Sequence, residues 1–221
     1  MPDTTPAVAD ETLIRFARRI SHDLNNFSTV VRTYSELLLS ELPADSPTHA
    51  DVTEIQRAAE SMVQYLQRVT RFARAAGMKK APVPVDAVVA ETVDAFRREV
   101  PTRTIAIAGT TGTTINADPV WFREVLTELL RNAHEVAPAD TPVEVHLSMA
   151  NQTVRIEVQD SGPGFAASLP SIGEPFLTTK NGVRGAGLGL ALANAFAMAL
   201  GGKLEAQREI RTRVSLVLPT A

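Results

Sequence analysis

Apolar and small residues recur along the first third of the chain with alternating gaps of four and three, at Leu13, Ala17, Ile20, Leu24, Phe27, Val31, Tyr34 and Leu38. The rhythm returns at Val52, Ile55, Ala59, Met62, Leu66, Val69 and Ala73. Sustained over several heptads, such spacing predicts helices packed through continuous seams, here over residues 10–76. The break between them, LPADSPTHAD, holds two prolines and an aspartate or serine able to cap a helix, so the two helices form an antiparallel hairpin. Two helices cannot enclose both seams. The stripe left over predicts that hairpins pair into a four-helix bundle, a homodimer. On periodicity alone a plain dimerisation stalk is the simpler reading.

The rhythm changes after GMKKAPVPV, residues 77–85, which reads as a linker. Residues 86–221 then alternate helix and strand. Helices are expected over 86–98, 118–136 and about 187–200. Short strands are expected at Thr104–Ala108 and Thr114–Asn116. Val143–Met149 and Thr153–Gln159 alternate apolar and polar residues at period two, as half-buried strands do, and Lys203–Gln207 with Arg213–Leu218 closes the chain as a hairpin.

Composition mainly excludes. The 221 residues carry a net charge of −3 and a pI of about 5.8, which leaves no electrostatic footprint for nucleic acid. The absence of cysteine rules out disulfides and thiolate metal sites and fits a reducing, cytoplasmic setting. Four scattered histidines (His22, His49, His134, His146) show no metal-ligand spacing. The uncharged stretch 185–202 contains five glycines, and its helical part falls short of the roughly 20 apolar residues a span needs, so membrane insertion is not expected. About 12 residues precede the first helical pattern, too few for an input domain, so any signal is expected from another protein, the dimer or a region beyond this chain.

With Ile20 and Leu24 in the seam, His22 falls on the outward face of the first helix, with Asn26 four residues on and Asp23 adjacent. A neutral, exposed imidazole attacks phosphorus readily if a carboxylate takes the proton from its other nitrogen. A solvated surface histidine is the bland alternative. In the second domain, Glu128, Asn132 and Glu135 share one face of a helix whose Val125, Leu129 and Ala133 face another way. That stripe is either a solvent face or a site, in which the Asn132 amide oxygen suits magnesium. DSGPG at 160–164 follows a strand directly. GAGLGL at 185–190 opens a helix, whose free N–H groups suit phosphate. A lone GxGxG is a weak signal, and a dinucleotide-binding reading fails for want of a βαβ unit.

Taken together, these segments resemble those of two-component sensor histidine kinases. Phe16 to Asn26, FARRISHDLNN, is similar to the H-box of the branch written HDLNN; ELLRNAHE (128–135) resembles the N-box, DSGPG the G1 box, EPFLTTK (174–180) the F-box and GAGLGL the G2 box. The resemblance covers about residues 12–219. It departs at Glu128, where many histidine kinases have asparagine and the related Bergerat-fold ATPases of the gyrase and mismatch-repair types have a water-activating glutamate.

The resemblance implies an α+β protein: a helical hairpin forming a dimeric four-helix bundle, then an α/β sandwich ATPase domain with a mixed sheet. It implies ATP and Mg2+ as cofactors, His22 as phospho-acceptor, Asp23 as its acid/base partner and Asn26 as the residue orienting water for dephosphorylation. Glu128 polarises the attacking group or helps hold the metal. Asn132 is the metal ligand. Asp160 accepts from the adenine amino group beside Gly162 and Gly164. Thr179, Lys180, Gly185, Gly187 and Gly189 line the phosphates, under a lid over 165–184 with Gly182 and Gly185 as hinges. The expected reaction is autophosphorylation of His22 followed by transfer to an aspartate of a response-regulator receiver domain, with phosphatase activity as a further expectation. Two alternatives are a phosphotransfer adaptor of the same architecture that relays phosphate without ATP, and a serine kinase of anti-sigma type, which shares the ATP fold but needs no histidine-bearing hairpin.

Overall fold

The structure is a computed structural model and describes residues 6–74, 79–164, 188–208 and 211–221. The chain divides into two compact units after Arg74.

The first unit is a hairpin of α1 (Pro6–Glu41) and α2 (Pro47–Arg74). The helical span therefore begins before residue 10. Pro47 opens α2, where its missing N–H costs nothing, and the Ser46 hydroxyl accepts from His49 N at 3.1 Å. Among the described residues, those buried in this unit are small: Ser28 and Ser35 from α1, Val52 and Ala59 from α2. Most of the α1 heptad row lies bare instead. Ile20, Phe27, Val31, Tyr34 and Leu38 are exposed, as are Ile55 and Met62. Most of the described seam residues are therefore left uncovered by a single chain.

In the second unit, the segment read as a linker includes a strand, β1 (Ala81–Pro84), antiparallel to β3 (Thr114–Ala117). Its two prolines cannot donate to a ladder, yet Val83 is buried against Ile115 and Ala117. The main sheet contains β2 (Ile105–Gly109), β4 (Val143–Ala150), β5 (Thr153–Asp160), β6 (Lys203–Arg208) and β7 (Thr212–Pro219), in the order β2-β4-β5-β7-β6. Only β2 and β4 run parallel, so the sheet is mixed. Helices α3 (Val85–Glu99), α4 (Pro119–Val136) and α5 (Leu188–Ala199) pack against it. Alternation sends Val143, Val145 and Leu147, then Val154, Ile156 and Val158, then Val214, Leu216 and Leu218, into the core. The opposite face is a ladder of paired charges, among them Arg155–Glu205 and Arg211–Glu144. The fold is α+β. Among the described residues no helix is long and apolar enough to cross a membrane.

The start of α3 is fixed electrostatically. Burial pushes the Asp86 carboxyl upward, but hydrogen bonds from the Thr110 and Thr111 hydroxyls and the Thr111 and Gly112 backbone outweigh it and bring the pKa down from 3.8 to about 2. A lowered folded-state pKa adds stability that is complete above pH 3.8 and is lost as the pH falls through about 2. Asp86→Asn should therefore lower the melting temperature at pH 7 and flatten its fall between pH 4 and 2, read by circular dichroism melts across that range.

Candidate functional site

On α1, His22 stands clear of the hairpin, its side chain 73% exposed. Its Nδ1 lies 3.2 Å from Asp23 Oδ1 and 3.5 Å from Asn26 Nδ2. Arg19, one turn back, reaches Asp23 Oδ2 at 3.7 Å. Helical geometry accounts for the cluster, since residues four apart stack on one face. In the tautomer with Nδ1 protonated, Asp23 is the acceptor and the lone pair is left on Nε2. His22, Asp23 and Asn26 are thus brought together, with the ring open to solvent.

In the second unit, α4 is the organising element. Asp118 caps it, accepting from Val120 N and Trp121 N through one oxygen and from Lys79 N through the other. Its far end is held by Arg103, a buried guanidinium donating to His134 Nδ1 and to the carbonyls of His134, Ala137, Pro138 and Thr141. Those acceptors include the terminal carbonyls that a helix leaves unpaired. Phe122 stacks on Phe196, and Glu128 lies against Gly189, so α4 and α5 run antiparallel.

The polar stripe of α4 is not uniformly a solvent face. Glu135 is exposed and Asn132 half-buried, but Glu128 is buried and paired with Arg131 at 2.9 Å. A Cβ added at Gly189 would lie 3.0 Å from Glu128 Oε2. A side chain at 189 would therefore press on the Glu128 carboxylate.

Asp160 ends the inward row of β5 that starts with Val154, so strand parity alone turns its carboxylate into the core. It is 2% exposed, and its Oδ1 accepts from Gly162 N at 2.7 Å. Buried Thr212 sits opposite it on β7, its hydroxyl 3.5 Å from the Gly162 carbonyl. A Cβ at position 162 would lie 2.7 Å from both Asp160 Oδ1 and Val136 Cγ2. Gly164 adopts φ of 75°, which favours glycine. The turn after β5 is therefore pressed against the end of α4, joining the Asp160 segment to the Asn132 helix.

Thr179, Lys180, Gly185 and Gly187, with the rest of the expected lid at 165–184, lie outside the described residues. Arg103, Arg131 and Thr212 were not singled out from the sequence. Arg131 alone carried a local signal, three residues from Glu128 on a helix. Among the described residues no three His, Asp or Glu side chains converge on a metal position.

The close approach at Gly162 yields a direct test. Gly162→Ala should destabilise the second unit by about 1–3 kcal/mol through overpacking against Val136, measured by urea unfolding.

Residues 117–221 match the family described as histidine kinase-, DNA gyrase B-, and HSP90-like ATPase. The C4-dicarboxylate transport sensor protein DctB of Pseudomonas aeruginosa is 29% identical over 197 residues, covering 84% of this chain and 32% of its own length. Sensor histidine kinase ZraS of Escherichia coli is 24% identical over 193 residues, covering 86% and 41%. The crystal structure of full-length ShkA in complex with AMPPNP superposes with a TM-score of 0.71 at 24% identity, over 96% of this chain and 46% of that one. The chain thus spans less than half the length of these relatives. Residues 117–221 are thus similar to the ATPase family of histidine kinases, DNA gyrase B and HSP90, and the likeness to proteins named sensor histidine kinases extends over most of the chain.

Proposed function

We propose that this chain is a histidine protein kinase that transfers the γ-phosphoryl group of ATP to His22 and passes it on to an aspartate of a response-regulator receiver domain. The observation that carries the reading is the exposed imidazole with a carboxylate at its Nδ1. Asp23 holds the Nδ1 proton. The Nε2 lone pair attacks the γ-phosphorus, the bond from that phosphorus to the bridging oxygen breaks, ADP leaves, and the positive charge developing on the ring is offset by Asp23. Asn26, on the same face, suits the orientation of water for the reverse, dephosphorylating reaction.

The second unit fits an adenine nucleotide. The buried Asp160 carboxylate suits an exocyclic amino donor, and Gly162 leaves no side chain between it and a base. Gly164 turns the chain away, and the GAGLGL segment that leads into α5 suits phosphate oxygens. Asn132 would hold Mg2+, which neutralises phosphate charge when bound. Thr179, Lys180, Gly185 and Gly187 complete the phosphate side of this proposal. Catalysis would consist chiefly of positioning and charge neutralisation.

The bare row Ile20, Phe27, Val31, Tyr34 and Leu38 suits a second hairpin, making the working form a homodimeric four-helix bundle. Residues 10–76 would then serve dimerisation and phosphotransfer, and 86–221 nucleotide binding.

With labelled Mg-ATP, the native chain should acquire acid-labile, base-stable phosphate. His22→Gln should lose it, a drop of about 10³-fold or more, with nucleotide affinity unchanged in a parallel titration. A native chain that binds no Mg-ATP yet accepts phosphate at His22 from a phosphorylated receiver would be the relay adaptor instead. Acid-stable label would point to a serine kinase.

A further inference from the structure

We propose that Arg103 is a positioning residue for base recognition: by holding the C-terminal end of α4 it seats the Gly162 turn that aims the Asp160 carboxylate. The inference rests on the nucleotide-binding reading above and adds to it the part that fixes the base contact.

The backbone of Asp160 is set by the sheet, where it pairs with Thr212 of β7. A contact that directs its carboxylate lies outside the sheet, in the turn: Oδ1 accepts from Gly162 N at 2.7 Å. Gly162 in its turn rests on the end of α4. A Cβ there would lie 2.7 Å from Val136 Cγ2 and 3.0 Å from the Val136 carbonyl oxygen. The aim of the carboxylate therefore depends on where the last turn of α4 is held.

A helix end holds its own place poorly, because its last carbonyls have no intrahelical donors. Here Arg103, itself buried, supplies donors. Its Nη2 donates to the carbonyls of His134 at 3.2 Å and Ala137 at 3.1 Å, and its Nη1 to those of Thr141 at 2.7 Å and Pro138. Its Nε lies 3.1 Å from His134 Nδ1, which must be the acceptor because a guanidinium only donates. These contacts bracket Val136 on both sides along the chain. Arg103 also stands two residues before β2, and the carbonyl of its neighbour Thr104 accepts from Val143 N at 3.0 Å, where β2 joins β4. The guanidinium thus ties the end of α4 to the same sheet that carries Asp160. A planar fork with donors at fixed angles suits that task, whereas a lysine offers one compact charge on a flexible stem.

The test measures, by calorimetry, the affinities of the native chain, Arg103→Lys and Val136→Ala for ADP and for purine riboside 5′-diphosphate, which lacks the exocyclic amino group. The native chain should prefer ADP by about tenfold or more, as a hydrogen bond to a charged acceptor allows. In Arg103→Lys the preference should shrink to less than about threefold, while the analogue binds within about twofold of native. A merely structural role would weaken both nucleotides alike, since a smaller competent fraction scales every affinity by one factor. Val136→Ala keeps the backbone acceptors of Arg103 and loosens only the seat of Gly162. It should lower the preference at least about threefold, and it reads the proposal even if Arg103→Lys fails to fold. An unchanged preference in either folded variant, or equal losses for the two nucleotides, would overturn the proposal. A native chain that binds ADP no better than the analogue, or binds neither, removes instead the assignment of Asp160 to the base, and this inference with it.

Discussion

Two carboxylates in the C-terminal unit, Glu128 and Asp160, are withdrawn from water, and a charge so placed persists only where donors and counter-charge are arranged around it. Much of the local architecture is that arrangement. Asp160 is met by the backbone of its own turn, which obliges the chain to reverse at Gly162, where a side chain would strike Val136. Glu128 is met by Arg131, and α5 closes onto it through Gly189. The two glycines thus answer to neighbouring carboxylates as much as to backbone conformation. Apolar packing supplies the larger driving force, through Phe122 on Phe196 and the inward rows of β4, β5 and β7, but it leaves register free. The polar contacts fix it.

The hairpin obeys another logic. Among the described residues its buried positions are serine, alanine and valine, while Phe27, Tyr34, Leu37 and Leu38 lie outside. Small residues allow α1 and α2 to approach closely, and the outer row keeps its hydrophobic free energy for a later contact. Asn25 and Ser28 each bury an oxygen without a partner among the described residues, so the interior near His22 is not packed for maximal stability. A helix pair holding back its best packing surface is suited to rearrangement more than to rigidity.

Much of this was legible in the chain itself, for reasons that differ by element. Strands β4 and β5 follow a period-two alternation and were placed within about a residue, as was β7, read as half of the closing hairpin. The same parity brought Asp160 into the core. Strand β1 escaped notice because Pro82 and Pro84 read as linker, and its single buried side chain gives no alternation to detect. Glu128 shows the limit of helical periodicity: spacing puts it on a polar stripe, but only α5, more than 50 residues later, decides whether that stripe is wet. Arg103 was invisible for a related reason. Its acceptors lie 31 to 38 residues away, and an arginine beside a proline turn carries no sign that it will be surrounded by carbonyls.

The pairing of β1 with β3 bears on anyone who wishes to excise the C-terminal portion. Cutting at residue 86, where composition suggests an edge, would strip Val83 from Ile115 and Ala117 and take Lys79 from the Asp118 cap and Lys80 from the end of α5. The fragment would begin with an uncovered apolar strip and frayed ends on two helices. A cut upstream of Lys79 keeps the lid on that corner, so the frontier of the autonomous piece lies several residues earlier than its amino-acid usage advertises.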